Sequence, residues 1–266
     1  MILTILNQKG GVGKTTTVIN MGVFLAKAGK KVLLVDLDPQ ANLTSGLGVS
    51  VPHGANTDIT GKDSKARTIY DVLVNDNPVS EVFLSTDTKG LFILPSGIEL
   101  SGAEVEMVNM ISRESVLKKA LEPVKDNYDF ILIDCPPSLG ILTVNALVAA
   151  EKVLVPIQCE YFALEGLGQL MNTVKLIRSK LNPTLDIAGV ILTMYDARTN
   201  LSRDVAEEVK KFFKEQVFKT IIPRNIRLSE APSHGQSIVE YDPSSTGSLA
   251  YRNLTDELIE RMSQTD

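Results

Sequence analysis

Tryptophan is absent from this 266-residue sequence, and cysteine and histidine occur only twice each. Two cysteines, Cys135 and Cys159, cannot build a disulfide framework in so long a chain. Both end apolar runs, FILIDC and VLVPIQC, where a buried free thiol is expected, as in a reducing compartment. His53 and His234 stand alone in loop-like stretches, which argues against a metal centre of thiols and imidazoles. No run approaches the roughly 18 consecutive apolar residues of a membrane span. The opening MILTILNQKGG has neither a basic flank nor a small-residue cleavage site, so a cytoplasmic protein is expected. Basic residues do not dominate either: 27 lysines and arginines stand against 32 acids, a net charge of −5. That balance excludes a surface that binds polyanions all over, while leaving a local basic patch open.

What is present is alternation. Short apolar runs read as strands at Ile2–Leu6, Lys31–Asp36, Leu91–Leu94, Phe130–Asp134, Val153–Pro156, Ile187–Leu192 and Phe218–Ile222. Most are continuously apolar, as strands buried on both faces are. Between them lie helical patterns, at Thr15–Ala28, Glu114–Val124, Leu164–Lys180, Leu201–Phe213 and Ser248–Met262. The expected fold is α/β, a doubly wound, mostly parallel sheet flanked by helices, with residues 1–266 forming one domain. The polar, glycine-containing stretch 50–67 reads as a surface loop within it. Ligands of such folds sit beyond the carboxyl ends of the strands.

The chemistry falls there. The first strand runs into Asn7-Gln8-Lys9-Gly10-Gly11-Val12-Gly13-Lys14-Thr15-Thr16 and then a helix. Glycines let backbone N–H groups turn toward phosphate oxygens, and the helix N-terminus favours anions. Lys14 is placed for the β- and γ-phosphates and the Thr15 hydroxyl for Mg²⁺. The loop departs from the usual G-x-x-x-x-G-K-[ST]: its first glycine is replaced by Gln8, and a second lysine, Lys9, lies inside it. The second strand ends in Val35-Asp36-Leu37-Asp38-Pro39, where alternation puts Asp36 and Asp38 on one side of an extended segment. Another strand delivers Asp134 at its end, the Walker B arrangement beside Mg²⁺. The next residue, Cys135, is a poor base for water, which leaves Asp38 as the best candidate and implies slow hydrolysis.

With these motifs, the segments NQKGGVGKTTT, VLLVDLDPQANLTSGLG, FILIDCPPSLGILTVNAL, QCEYFALEGL, LTMYDARTNLS and IPRNIRLSEAPSHG resemble the ParA/Soj family of deviant-Walker P-loop ATPases, within the ParA–MinD superfamily. The resemblance implies a homodimer that buries ATP between two subunits. Lys9 matches the lysine that crosses to the partner's phosphates, and Asp38 the aspartate that places the attacking water. The ATP-binding set is then Lys9, Gly10, Gly11, Val12, Gly13, Lys14, Thr15 and Thr16, with Pro223 and Asn225 matching the adenine-side wall. Thr15 matches the direct Mg²⁺ ligand, and Asp134 the residue behind it.

The same resemblance implies non-specific binding of double-stranded DNA by the ATP dimer, nucleoid association, and release through a centromere-binding partner of the ParB (Spo0J-like) type. Arg198 and Arg227 match DNA-contacting positions, although residues 195–230 hold only two more basic than acidic side chains. The segment Tyr241–Thr246 lacks the basic residues that relatives often carry, which implies weaker, more salt-sensitive binding. A MinD-like membrane anchor is not expected, because the last helical pattern sets Arg252 and Arg261 against Asp256, Glu257 and Glu260. An iron–sulfur relative is not expected either, since neither cysteine has C-x-x-C spacing. The cargo, whether chromosome, plasmid or another body, is left open.

Overall fold

The computed structural model describes residues 1–51, 67–161 and 166–263. The loop expected over 50–67 lies almost entirely outside them, as does the start expected for the helix at Leu164. Seven strands form one sheet: β1 (Ile2–Ile5), β2 (Val32–Asp36), β3 (Leu84–Ser85), β4 (Leu91–Leu94), β5 (Phe130–Asp134), β6 (Lys152–Gln158) and β7 (Asp186–Thr193). Their order is β3-β4-β2-β5-β1-β6-β7, and every pairing is parallel except β3 with β4.

The continuous apolar runs are explained by two cores, one on each face of the sheet. In β5, Ile131 and Ile133 enter one core while Phe130 and Leu132 enter the other. The period-two alternation is intact, but both faces are dry, so it leaves no polar trace in the sequence. The helix α1 (Lys14–Lys27) packs on one face beside the C-terminal helix, Thr246–Ser263. Completely burying a leucine or isoleucine contributes about 1.5–3 kcal/mol, so the central strands hold much of the stability.

Phe218–Ile222, expected as a strand, is not one. Phe218 N–H donates to Val190 O at 2.9 Å and Ile222 N–H to Leu192 O at 2.9 Å, with isolated bridges at Val217 and Pro223. Between those contacts, Lys219 and Thr220 turn their N–H groups to the Glu257 carboxylate, at 2.8 and 2.9 Å. A side chain thus takes the donors that a ladder would use. The seventh strand is instead β3, two exposed residues on β4.

Register brings the chemistry together. In the ladders, Asp134 stands opposite Ile5 on one side and Asp36 on the other. The ends of β1, β2 and β5 therefore share one edge of the sheet, from which the glycine-rich loop departs.

Candidate nucleotide site

Asn7 anchors the loop after β1: its Nδ2 donates to Pro156 O at 2.7 Å and its Oδ1 accepts from Lys9 N–H at 3.0 Å. Gly11 and Gly13 have φ of 76° and 90°, a left-handed backbone that strains any side chain. Thr193 at the end of β7 braces the loop, donating from Oγ1 to Val12 O at 2.8 Å. The loop opens onto a cavity of about 640 Å³ lined by Gly10, Gly11, Gly13, Lys14, Thr15 and Thr16. Of the expected phosphate-binding set, Val12 turns its side chain into the core and Lys9 does not line the cavity.

Lys14 folds back to donate from Nζ to Lys9 O at 3.2 Å. Burial lowers its pKa, and the carboxylates of Asp134 and Asp38 partly oppose that shift. Thr15 donates from Oγ1 to Asp134 Oδ2 at 2.6 Å, and Asp134 Oδ1 is buried with no hydrogen-bond partner. An uncompensated oxygen beside a hydroxyl and a phosphate cradle is a hard donor set that fits Mg²⁺. Among the described residues, no group of three or more His, Cys, Asp or Glu could hold a metal. A divalent ion here would therefore take most of its ligands from water and from phosphate oxygens, as Mg²⁺ does.

The pair Asp36 and Asp38 departs from the extended arrangement expected of it. Strand β2 stops at Asp36, whose completely buried carboxylate accepts from Thr44 N–H, Thr44 Oγ1 and Asp38 N–H. A carboxylate carried into the interior needs those donors, and the chain turns at Leu37 to supply one of them. Asp38 is left half-buried at the cavity wall, where its Oδ1 accepts from Gln40 N–H and its carbonyl from Ser96 Oγ at 2.8 Å.

Burial pushes Asp134 up to about 8, reinforced by the neighbouring Asp36 and opposed by Thr15 and Lys14. Burial likewise raises Asp36 to about 6, against the donors from Thr44 and Asp38. Burial also drives Cys135 up to about 12, which removes it as a base for water. Asp134 binds its proton more tightly in the folded chain than at its ordinary 3.8. The resulting stabilisation is complete below that ordinary value and is lost as pH rises through about 8. Calorimetry without nucleotide or metal is expected to show thermal stability falling across that interval, with a flatter slope in Asp134→Asn. Equal slopes would remove Asp134 as the source.

Lys9 lies outside its own cavity, with Nζ 3.8 Å from Glu160 Oε2. Glu160 also accepts from Arg224 Nη2 at 2.9 Å and Gln158 Nε2 at 2.6 Å. The expected adenine wall is not joined to the phosphate cavity. Pro223 lines a separate hollow of about 520 Å³ with Tyr195 and Thr246, because Tyr195 holds this segment through Ile222 O and Arg224 N–H. Asn225 caps the helix Ile226–Glu230, accepting from Arg227 N–H at 2.8 Å and donating to Thr246 Oγ1 at 2.9 Å.

The two arginines matched to DNA contacts are both paired within the chain. Arg198 meets Asp196 through Nε and Nη2 at 2.9 and 2.7 Å, which holds Asp196 down to about 2. Arg227 meets Glu230 at 2.9 Å and Asp242 at 3.7 Å. The cavity also takes residues that the motifs did not single out: Gln40, Asn42 and Ser45 beyond Asp38, and Met194, Pro232 and Ser233. All six lie in segments that carry the family resemblance, the first three in the polar run QANLTS that follows Pro39.

A family described as "AAA domain" matches residues 1–187. The sporulation initiation inhibitor protein Soj of Bacillus subtilis (strain 168) is 56% identical over 97% of this chain and 97% of its own. The chromosome-partitioning ATPase Soj of Treponema pallidum (strain Nichols) is 52% identical over 98% of each. Among solved structures, cobyrinic acid a,c-diamide synthase from Mycobacterium smegmatis, with bound ATP analogue and magnesium, is 38% identical with a TM-score of 0.83. That match covers 100% of this chain and 96% of the other. Kinship at half identity or better along nearly the whole length, on a loop with this second lysine, has one reading: the chain belongs to the ParA/Soj family of partitioning ATPases, within the ParA–MinD superfamily.

Proposed function

We propose that this protein is an ATP-dependent DNA-partitioning ATPase acting as a single domain. ATP and Mg²⁺ drive two copies together, the dimer binds double-stranded DNA without sequence preference, and slow hydrolysis returns monomers. The observation that carries the reading is that Lys14, Thr15 and Asp38 line one cavity at the sheet's carboxyl edge, with Asp134 buried behind Thr15 and bonded to it. Lys14 and the loop N–H groups hold phosphate oxygens, Thr15 and Asp134 hold the metal side, and Asp38 orients water. Mg²⁺, when bound, neutralises charge on the phosphate oxygens. Lys9, turned away from its own cavity, serves the partner's phosphates. Pro223, which lines the separate hollow, and Asn225 beside it are assigned to the base side.

A ParB-type centromere-binding protein stimulates hydrolysis, and the protein works in the cytoplasm on the nucleoid. No helix among the described residues is long and apolar enough to cross a membrane. ATPase rate with DNA and a ParB-like protein, added singly and together, tests this; no stimulation by both together would reject the partitioning reading. Arg198→Glu and Arg227→Glu are expected to weaken DNA binding at least about tenfold and flatten its salt dependence, with dimerisation unchanged. Both guanidinium groups are exposed, and pairs at the surface contribute little, so phosphate can displace the acids. Unchanged affinity and salt slope would put the DNA surface elsewhere.

A further inference from the structure

Glu257 and Arg261 stand one turn apart on the C-terminal helix, and the site described above uses neither. Pairs at this spacing are common on helix surfaces and contribute little. This one is sheltered, with side chains only 13% and 21% exposed, and its bonds go to another segment of the chain. Arg261 donates from Nη2 to Val217 O at 2.8 Å and from Nη1 to Glu215 O and Gln216 O at 3.3 and 3.4 Å. Its guanidinium also lies 4.1 Å from the centre of the Phe218 ring. Glu257 continues the grip on the N–H groups of Lys219 and Thr220. Because Arg261 Nη2 also donates to Glu257 Oε1 at 2.8 Å, the two side chains act as one unit on residues 215–220.

The same segment is pressed onto β7 at Gly189, where a Cβ would collide with the Phe218 ring and Gln216 O. Beyond Thr220 it runs through Ile221 and Ile222 to Pro223 and Asn225. The hollow of about 520 Å³ is lined by Lys219, Thr220 and Pro223 of this segment and by Thr246, Leu249 and Asn253 of the C-terminal helix. One helix thus lines the hollow and also carries the pair that ties the other lining segment to it. Without the Glu257 carboxylate, the N–H groups of Lys219 and Thr220 lose their acceptors. The stretch would then be held to β7 chiefly by the bonds of Phe218 and Ile222.

We infer that Glu257 and Arg261 are positioning residues for the nucleotide base: they set the spacing between segment 219–223 and the C-terminal helix, and with it the fit of the base. The inference rests on the reading that assigns Pro223 and Asn225 to the base side. A planar ring in a slot tolerates little change in the slot's width, and a carboxylate fixed by two N–H groups and a guanidinium holds that width rigidly. Neither residue lines the phosphate cavity. Loss of the pair therefore weakens recognition of the base and leaves the phosphates as they were.

The test uses the full chain and diphosphates, which do not drive the proposed dimer. Titration calorimetry compares MgADP, MgGDP and magnesium pyrophosphate. Glu257→Ala should bind ADP about tenfold more weakly and lose most of its preference for ADP over GDP. Its affinity for pyrophosphate should stay within about twofold of the wild type. Glu257→Gln keeps one acceptor, and Arg261→Lys keeps the charge without the fork of donors, so both should fall between. If Glu257→Ala does not fold, these two milder variants decide. Equal losses of ADP and pyrophosphate binding would mean a merely structural pair and overturn the inference. Wild-type ADP affinity and base preference in every variant that folds would overturn it too. Asn225→Ala, measured alongside, separates the two readings. Weaker ADP binding there, with none in the Glu257 and Arg261 variants, rejects the positioning role alone. No change in any of them rejects the base-side assignment as well.

Discussion

Lys9→Ala is expected to bind MgATP within about threefold of the wild type and to form no ATP-dependent dimer. The two halves of this expectation come from different parts of the structure. Within its own chain Lys9 contributes a backbone carbonyl to Lys14 Nζ, and alanine keeps that carbonyl. Its ammonium lies outside the cavity, 38% exposed, at 3.8 Å from Glu160. A long, exposed pair of that kind contributes about 0–1 kcal/mol, so the side chain is free to leave it. A phosphate across a closing, water-poor interface is a far stronger partner, worth about 1.5–3 kcal/mol for a charge-assisted bond. One such bond in each of two symmetric sites makes a dimer constant weaker by about a hundredfold or more when both are removed. Sedimentation with a non-hydrolysable ATP analogue reads the dimer, and titration calorimetry reads the nucleotide. Normal dimers in this variant would take Lys9 out of the partner's site.

How far the site was legible follows from which signals are local. The glycine-rich loop and its lysines are contiguous, and their spacing alone announces a phosphate cradle at a helix start. Asp134 was legible because an apolar strand ends on it. Its contact with Thr15, 119 residues away, needed only that β1 and β5 be neighbours. Asp38 was singled out in the sequence, but the buried structural role of Asp36 was not legible there. The strand's end depends on Thr44, a residue of the following helix that donates twice to Asp36. The strand expected at Phe218–Ile222 had the right composition, but Glu257, some 37 residues on, takes two of its N–H groups.

Helix Ile141–Ala149 gave no usable period because nearly every residue in it is buried, so no polar face marks its turns. Arg198 and Arg227 are each spoken for by acids of their own chain, and any polyanion must compete with these. The proposed DNA binding would on those terms be weak per site and would depend on a dimer to double the contacts.

Asp38→Ala is the other large expected effect: turnover falls at least about a hundredfold, while ATP binding and the ATP-dependent dimer persist. Of the two aspartates at the end of β2 and just beyond it, Asp36 carries the structural load. It is completely buried and accepts three hydrogen bonds, so its removal would strand Thr44 and unpin the turn. Asp38 has the opposite profile. Its side chain makes one bond to the fold, from Gln40 N–H, while its backbone is fixed by Ser96 Oγ on the carbonyl and by Asp36 on the N–H. Alanine keeps both backbone anchors and loses only the carboxylate, which stands at the wall of the phosphate cavity. A group held so firmly and used so little by the fold is suited to positioning a reactant. With Cys135 pushed up to about 12 and Asp134 buried beneath Thr15, no other carboxylate or thiolate of the three strand ends is free to replace it. Single-turnover hydrolysis beside thermal denaturation separates the cases. Lost chemistry with an unchanged melting temperature is the expected result, and wild-type turnover would assign the water to another group.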